Sequence, residues 1–459
     1  MEDQTSLEEL RAQILQITKE IIQLAAKRTN MAMEVGEMKT MKSLPTEDAG
    51  VEDALTTEVI AESERNGLDR ATGLRILSVL LSESKRVQGM PDRPTPGSVL
   101  AKALELERRG VQVIRLDVGE PDFRPPRSVL KACADALYSF RTHYTEPRGI
   151  PELRSALIKY LAKKHRFRAR EDEVTVTPSG RFAVYGALSS IVGEGDSVII
   201  IEPNWPAYVD ALRHLRASPV IVHTTLDDGW TPAFEQIQNA VRRNTRAIVL
   251  SYPSNPTGKV IPARLFKEIV GLADDLGLTV ISDEIYNEYS SVPCPSVLKT
   301  TPKKFILTSS FSKSWAMTGF RIGYAVSSKE IISKISNLTS LLVTSVPEFI
   351  QWGAIKALTA DAEVRRNVAL MHKRIDAACR GLDEVSSLEY TPPDGAMYVF
   401  PRIGSGETGE SFAARLIERG VTVTPGTAFG DYADFFRISL GTPREKILKG
   451  IRQMRELLS

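Results

Sequence analysis

The sequence of 459 residues lacks several features that mark particular classes of protein. Its three cysteines, Cys133, Cys294 and Cys379, do not have the spacing of a disulfide framework or a metal site, and we expect them to stay reduced in a cytoplasmic protein. The formal net charge is only +2, which gives no electrostatic reason to expect a nucleic acid or an anionic membrane as partner. There is no apolar run long enough to span a bilayer and no signal peptide, repeat or low-complexity tract.

Composition divides the chain into two parts. Residues 89–98 contain three prolines and two glycines, which is typical of a stiff, extended connector. We therefore predict a helical domain at residues 1–88 and a larger domain at residues 99–459. The larger domain is expected to consist of a large part at about 141–335 and a small part formed by about 99–140 together with 345–459.

The first domain shows the periodicity of helices. Apolar residues recur every three or four positions over residues 6–42, as on one face of an α-helix. A helix of this length rises on the order of 50 Å, more than the rest of the domain can cover, so we expect it to pair with the same helix of a second chain. Two further helices are predicted at about 47–66 and 69–87. The simplest interpretation is a helical dimerisation module.

Polar side chains on these three helices suggest more than dimerisation. Apart from Arg11, each of them lies four or eleven residues from another member of its set, so each such pair lies on one face of its helix. Such a set can bind a small dicarboxylate that carries a hydroxyl group and an ether oxygen. The residues are Arg11, Arg28 and Lys39 on the first helix, Asp48 and Glu52 on the second, and Ser84 and Gln88 on the third.

Over residues 1–88 the chain resembles the small all-helical chorismate mutases. The resemblance implies that chorismate rearranges to prephenate in one pericyclic step, because the enzyme holds the folded conformer and stabilises charge on the ether oxygen. Two arginines would bind chorismate in an intertwined dimer, Arg28 and, from the second chain, Arg11. The other implied contacts are Lys39 and Gln88 at the ether oxygen, and Asp48, Glu52 and Ser84 at the hydroxyl and carboxylate groups.

One position departs from that family. Val51 precedes Glu52 where the chorismate mutases usually have an arginine. A carboxylate contact is therefore missing or supplied by another residue. Two interpretations stay open: a catalytic mutase, or a module that only binds an effector or dimerises.

The second domain alternates between apolar runs of strand length and helical stretches. This pattern predicts an α/β fold with a mostly parallel seven-stranded sheet, covered by helices on both faces, and a smaller α+β part. The predicted strands are 174–177, 197–201, 220–222, 247–252, 279–282, 305–308 and 322–326, with late strands near 397–400 and 436–439.

A lysine follows the predicted strand at 305–308. Lys313 lies where an α/β sheet places its ligand crevice, and partial burial would keep its amine neutral long enough to form a Schiff base with an aldehyde. Ser310 and Arg321 flank it with a hydroxyl group and a fixed cation, which suits a phosphate monoester. On its own, such a lysine would more often be a solvated surface residue.

Other polar residues also follow predicted strands. Ser179 and Gly180 open a helix whose first N–H groups can bind an anion. Asn255 lies in a Pro-Thr-Gly turn that would fix its amide, and Asp283 ends a buried strand, where a carboxylate needs a cationic partner. Taken singly, each of them fits a turn or core position as well as a functional one. Two aromatic residues also follow predicted strands, Trp205 after 197–201 and Tyr286 after 279–282.

In order and spacing, these residues resemble the class I and II pyridoxal-phosphate aminotransferases of fold type I, across residues 99–459. The resemblance implies that Lys313 binds the cofactor and moves a proton, while Asp283 keeps the ring nitrogen protonated. The other implied cofactor contacts are Tyr286 and Asn255 at the phenolic oxygen, Trp205 at the ring face, and Ser179, Gly180, Ser310, Arg321 and Tyr144 of the partner subunit at the phosphate. The implied contacts to the substrate α-carboxylate are Arg437 and Gly119.

Together the two resemblances indicate consecutive activities in aromatic amino-acid biosynthesis. We predict a homodimer that converts chorismate to prephenate and then aminates prephenate or an aromatic 2-oxo acid, with Glu or Asp as donor. Arg181 is a candidate for binding a distal carboxylate, although a phosphate or surface contact fits equally well. Two alternatives remain: an aspartate aminotransferase with a non-catalytic N-terminal module, and a different pyridoxal-phosphate reaction such as β-elimination.

Overall fold

The computed structural model describes most of the chain. The chain divides into two compact units, residues 1–93 and residues 94–459. The described residues are 7–41, 49–69, 105–110, 112–404 and 406–459, together with Thr72, Gly73, Ile76, Leu77, Leu80, Ser84 and Ala103.

The described part of the first unit is helical apart from residues 66–69. Helix α1 (Leu7–Met41) and helix α2 (Ala49–Arg65) begin and end close to the bounds that the periodicity predicts. Glu8 and Glu9 in the first turn of α1 and Lys39 in its last turn have the charges that stabilise the helix dipole. The described positions between 72 and 84 are helical as well. The predicted all-helical fold of this unit is thereby confirmed.

Helix α1 carries a row of exposed apolar side chains. Ile14, Ile17 and Ile21 recur at helical spacing and are 64%, 55% and 58% exposed. Apolar surface of this extent is normally covered in a stable protein. That a second chain covers it stays a prediction.

The second unit contains the strands and the remaining helices. The strands are β1 (Ile114–Arg115), β2 (Val174–Thr177), β3 (Ser197–Glu202), β4 (Ser218–His223), β5 (Thr245–Ser251), β6 (Thr279–Asp283), β7 (Phe305–Ser310), β8 (Gly323–Ser327), β9 (Leu388–Glu389), β10 (Tyr398–Val399), β11 (Arg402–Ile403), β12 (Val421–Thr422), β13 (Thr424–Pro425) and β14 (Phe436–Ser439). The helices are α3 (Arg127–Tyr138), α4 (Pro151–His165), α5 (Gly180–Ile191), α6 (Ala207–His214), α7 (Phe234–Asn239), α8 (Ala263–Leu276), α9 (Val297–Thr300), α10 (Lys329–Val343), α11 (Glu348–Ala357), α12 (Asp361–Leu382), α13 (Gly409–Glu418) and α14 (Arg444–Leu458).

Seven of the strands form one sheet in the order β2-β8-β7-β6-β5-β3-β4. The strands run parallel except for β8, which is antiparallel to both of its neighbours. Each predicted strand of the sheet is present within two residues at each end. Where a strand is longer than predicted, polar residues extend it. In β4, Ser218 and His223 pair with β3 although they lie outside the apolar run. The predicted fold class is confirmed.

Apolar side chains on successive residues of the inner strands enter cores on opposite faces of the sheet. In β3, Ile199 packs into the core with Leu153 and Leu157 of α4. Its neighbours Val198 and Ile200 pack into the core on the other face. Because both faces are covered, the inner strands consist of nearly continuous apolar runs.

A third core lies in the C-terminal part of the unit. It includes Leu116, Phe412, Phe436 and Ile447. Short strands surround it: β1 pairs with β12, β9 with β11, and β10 and β13 with β14. The Ser439 N–H of β14 donates to the Leu116 carbonyl at 2.7 Å, which places the end of β1, and with it the start of the segment 117–122, beside β14. The bounds predicted for a small domain stay a prediction.

Within the described ranges, every helix is too short or too polar to cross a bilayer.

Candidate active site

The site lies at one edge of the large sheet. The six strands that share one direction end there, and the antiparallel β8 begins there. The register aligns Asp283 on β6 with Thr308 on β7, and Ser310 on β7 with Gly323 on β8. Residues just beyond these strand ends therefore come together, as ligand-binding residues do in α/β sheets.

Asp283 ends β6 and is only 6% exposed. Its Oδ2 accepts a hydrogen bond from the Tyr208 hydroxyl at 2.7 Å, and its Oδ1 accepts one from the Ile285 N–H at 3.3 Å. Burial raises the pKa of Asp283 from 3.8 to about 6, while these hydrogen bonds and the charge of Lys313 oppose the rise. A cationic group placed beside this carboxylate would stabilise its charged form.

Lys313 lies just beyond β7 with its side chain half-buried. Its amine donates a hydrogen bond to the Gly119 carbonyl, and Nζ lies 5.9 Å from the centre of the Tyr286 ring. Burial lowers the pKa of Lys313 from 10.5 to about 8; Arg437 lowers it further and Glu120 opposes this. Neutral amine is therefore available at mildly alkaline pH, as a nucleophilic lysine requires.

Arg437 on β14 is 3% exposed and lies between two aromatic rings, 4.4 Å from the centre of Tyr398 and 4.8 Å from that of Phe429. Its Nη1 donates to Asn255 Oδ1 at 2.9 Å, and its Nη2 donates to the Asp117 carbonyl at 2.5 Å. Because a guanidinium only donates, Asn255 turns its oxygen to Arg437 and keeps its amide N–H groups for another acceptor. Within the described chain, Nε of Arg437 is buried without a hydrogen-bond partner, so this N–H is among the donors that remain for an anion.

Tyr286 and Tyr398 form a buried pair. Their hydroxyl groups are 2.6 Å apart, and their rings meet edge to face with centres 5.6 Å apart. Burial raises the pKa of both hydroxyl groups, so both stay protonated near neutral pH. A Cβ atom on Gly119 would collide with the Tyr398 hydroxyl, so only glycine fits at that position.

The loop after β2 meets the end of β7 where helix α5 begins. Ser179 caps α5, since its Oγ accepts from the Phe182 N–H at 3.0 Å. A Cβ on Gly180 would lie 3.1 Å from the Cβ of Ser310, and a Cβ on Gly323 would lie 2.7 Å from the Ser179 backbone. The two glycines thus let the start of α5 approach Ser310 closely. The first N–H groups of the helix, with the Ser310 hydroxyl, form a site suited to an anion.

Two arginines lie near this turn. Arg321 precedes β8 with a φ of 58°, in the left-handed region, and its Nη1 donates to the Thr318 carbonyl at 2.8 Å. The guanidinium of Arg181 lies 4.7 Å from the centre of the Trp205 ring. Partial burial and the charge of Arg321 lower the pKa of Arg181, while Asp210 opposes the change. Two cations close enough to affect each other favour an anion between them.

Among the described hydrogen bonds and ring contacts, none joins Tyr144 to another of the predicted residues. Its side chain is 85% exposed. Tyr138 and Phe140, in the same stretch of chain, are 85% and 78% exposed. That Tyr144 completes the site of a partner subunit stays a prediction.

The first unit brings two of the predicted mutase residues together. Arg28 Nη1 donates to Ser84 Oγ at 2.5 Å and to the Leu80 carbonyl at 2.7 Å. Arg11 is exposed on α1 and Lys39 is half-buried. The predicted residues outside the described part of the chain are Asp48, Gln88 and the side chain of Glu52.

Two further tyrosines contact the predicted residues, although the sequence did not indicate them. Tyr208 donates to Asp283 and lies three residues after Trp205, on the helix that follows the same strand end, so its position was a signal that could have been read. Tyr398 contacts Tyr286 from 112 residues further along the chain, and no local pattern points to it.

Comparison with known families agrees with this geometry. The family described as aminotransferase class I and II matches residues 111–453. The chain belongs to this family. Chorismate mutase type II matches residues 10–89, so a chorismate mutase domain precedes the aminotransferase.

Several named aminotransferases are similar to this chain in sequence or structure. The aspartate/prephenate aminotransferase of Thermus thermophilus is 34% identical over 382 residues, which cover 82% of this chain and 98% of the relative. A (5-formylfuran-3-yl)methyl phosphate transaminase of Methanocaldococcus jannaschii is 37% identical over 373 residues, which cover 79% and 95%. The solved structure of Thermus thermophilus aspartate aminotransferase with maleate matches with a TM-score of 0.77 and 33% identity, covering 82% of this chain and 99% of that one.

The aminotransferase family implies pyridoxal 5′-phosphate, and the residues present fit that cofactor. Asp283 offers a buried carboxylate to a protonated ring nitrogen, and Lys313 offers an amine of lowered pKa to an aldehyde. The close approach of Gly180 to Ser310 leaves backbone donors for a phosphate. Among the described residues, there is no cluster of three or more His, Cys, Asp or Glu side chains that could hold a metal ion.

The raised pKa of Asp283 predicts how the stability of the cofactor-free aminotransferase depends on pH. A folded-state pKa of about 6 against 3.8 means that the folded protein holds this proton more tightly than the unfolded chain. The stability contributed by Asp283 is complete below pH 4 and is lost as the pH rises to 6. Asp283→Asn should therefore stabilise the cofactor-free protein by on the order of 1–3 kcal/mol at pH 8, with no gain near pH 4.

Urea unfolding followed by tryptophan fluorescence measures this effect, because all four tryptophans lie beyond residue 93 and so in the second unit. The exposed Asp227, changed to Asn, is the matched control and should alter stability by less than about 0.5 kcal/mol. A gain from Asp283→Asn that grows toward low pH, or no gain at pH 8, would contradict the assignment.

Proposed function

We propose that this protein is a bifunctional enzyme of aromatic amino-acid biosynthesis. Its first domain converts chorismate to prephenate, and its second transfers an amino group from Glu or Asp to prephenate or an aromatic 2-oxo acid. The observation that carries the proposal is the presence of a chorismate mutase domain and an aminotransferase in one chain. The product of the first reaction is a 2-oxo acid, which is the class of compound that an aminotransferase accepts.

The mutase half needs cations that face the substrate and no nucleophile. Arg28 is fixed by its hydrogen bonds to Ser84 and Leu80, so its remaining N–H groups are oriented before chorismate binds. We assign Lys39 and Gln88 to the ether oxygen. The further substrate contacts that we assign are Asp48, Glu52, Ser84 and, from a second chain, Arg11.

The aminotransferase half relies on a bound cofactor. Pyridoxal 5′-phosphate, when bound, supplies an aldehyde that takes up the amino group and a ring that accepts electrons. Lys313 binds it through Nζ and moves the proton at the substrate α-carbon, while Asp283 holds a proton on the ring nitrogen. Arg437 orients the α-carboxylate with its spare donors. The other assigned cofactor contacts are Tyr286 and Asn255 at the phenolic oxygen, Trp205 at the ring, and Ser179, Gly180, Ser310, Arg321 and a second chain's Tyr144 at the phosphate.

Arg181 is the residue that we assign to the second carboxylate of the substrate. Its guanidinium is held over Trp205 rather than paired with a described carboxylate, and it lies beside the start of α5. Prephenate, aspartate and glutamate all carry a second carboxylate. The maleate in the structure of the Thermus thermophilus relative is likewise a dicarboxylate.

Val51, which stands where the chorismate mutases usually have an arginine, supports a second candidate function. If the missing arginine contact abolishes catalysis, the first domain only binds an effector or dimerises, and the protein is an aspartate aminotransferase. The name of the Methanocaldococcus jannaschii relative also indicates that acceptors vary among similar chains.

The two activities can be separated by one substitution in each domain. With chorismate, glutamate and pyridoxal 5′-phosphate, the native protein should yield prephenate and an amino-acid product identified by mass. Lys313→Ala should consume chorismate at the native rate but form no amino acid, because the amine that binds the cofactor is lost. Arg28→Ala should slow chorismate loss about 100-fold or more and still aminate prephenate that is supplied directly.

Each outcome distinguishes the candidates. Chorismate that persists at millimolar concentration with the native protein would favour the non-catalytic module. An amino-acid product from Lys313→Ala would contradict the aminotransferase assignment.

Arg181 should affect substrates according to their charge. Arg181→Ala should lower kcat/KM for aspartate and glutamate roughly 10- to 100-fold, since one charge-assisted contact is lost, and change it less than about threefold for phenylalanine. Arg181→Lys keeps a cation, so its kcat/KM for aspartate and glutamate should lie between that of the native protein and that of Arg181→Ala. Equal losses for dicarboxylic and aromatic substrates would show that Arg181 does not bind the distal carboxylate.

A further inference from the structure

Tyr398 occupies a central position between the predicted cofactor and substrate residues. It begins β10, which pairs with β14 so that Tyr398 lies opposite Ser439, two residues from Arg437. Its ring lies against the guanidinium of Arg437, and its hydroxyl is 2.6 Å from that of Tyr286. The residue is 1% exposed, so water does not compete for this contact.

The hydrogen bond between the two tyrosines has a direction that depends on what else Tyr286 contacts. In the structure either hydroxyl can donate. A tyrosine hydroxyl has one proton, so if Tyr286 donates to another acceptor it can only accept from Tyr398. A hydroxyl that accepts a hydrogen bond also becomes a stronger donor.

We propose that Tyr398 is a positioning residue that keeps Tyr286 as a hydrogen-bond donor toward the phenolic oxygen of the cofactor. The inference rests on the proposed cofactor site and adds to it a residue that does not itself contact the cofactor through its hydroxyl. Tyr398 donates to Tyr286, which leaves the Tyr286 proton only one direction in which to point.

The surroundings hold Tyr398 in this role. Gly119 passes directly beside its hydroxyl, where a Cβ atom would collide, so a residue with a side chain at position 119 would displace Tyr398. The cation of Arg437 over the ring makes the Tyr398 hydroxyl a better donor. The charged groups that face the pair are Arg437, Asp283 and Lys313.

Tyr398→Phe tests the proposal, because it removes the hydroxyl and keeps the ring against Arg437. The readout is the visible absorbance of the protein loaded with pyridoxal 5′-phosphate, titrated with pH. A donor to the phenolic oxygen favours the deprotonated form of the lysine-bound cofactor. The midpoint of the titration should therefore rise by about half a unit to one unit in Tyr398→Phe.

A double-mutant cycle shows whether Tyr398 acts through Tyr286. Tyr286→Phe should raise the midpoint more than Tyr398→Phe does, and adding Tyr398→Phe to it should raise it by less than about 0.3 unit further. Tyr432→Phe is the matched control: it removes another buried hydroxyl, which donates to the Thr224 carbonyl at 2.9 Å, and should leave the midpoint unchanged.

Failure of this inference is distinguishable from failure of the proposed function. A native protein without a visible band would overturn the cofactor site itself. A native band together with an unchanged or lowered midpoint in Tyr398→Phe would overturn only the role of Tyr398. Additive shifts of the midpoint in the double variant would show that Tyr398 acts independently of Tyr286, and they would likewise overturn the proposed role of Tyr398.

Discussion

Asp283 places a carboxylate at the end of β6, and Lys313 places an amine just beyond the end of the adjacent β7. Burial moves the pKa of each group toward neutrality. Neither charge is favourable in this environment without a partner. The carboxylate is stabilised by Tyr208, and the amine by the Gly119 carbonyl. The other features of the site depend on this pair, because a cofactor with a basic ring nitrogen and an aldehyde satisfies both groups at once.

The segment 117–122 connects this pair to Arg437. The Asp117 carbonyl accepts from Arg437, and the Gly119 carbonyl accepts from Lys313. At the other end of the segment, the Asp122 carboxylate pairs with the buried Arg374 at 2.8 Å. Because β1 pairs with β12 just before this segment, its position is fixed by the C-terminal part of the unit. The amine of Lys313, the guanidinium of Arg437 and the backbone that contacts both are therefore held as one group.

Much of the fold and part of the site could be predicted from local sequence. The inner strands are buried on both faces, so they are apolar runs whose ends mark the loops that carry Asn255, Asp283 and Lys313. Tyr398 could not be placed in the same way, because a contact between residues 112 positions apart depends on how the sheet and β10 pack together. Polar ends such as Ser218 on β4 were missed because their pairing comes from the neighbouring strand, not from their own hydrophobicity.

Reductive trapping of the cofactor tests the central claim most directly. Cofactor-free protein incubated with pyridoxal 5′-phosphate, reduced with borohydride and digested with a protease should carry the label on one peptide, with the modification on Lys313. Burial lowers the pKa of that amine to about 8, so part of it is neutral and reactive at mildly alkaline pH. The account predicts stoichiometric labelling of Lys313 and its loss in Lys313→Ala. Labelling of a different lysine at equal yield, or no label on Lys313, would contradict it.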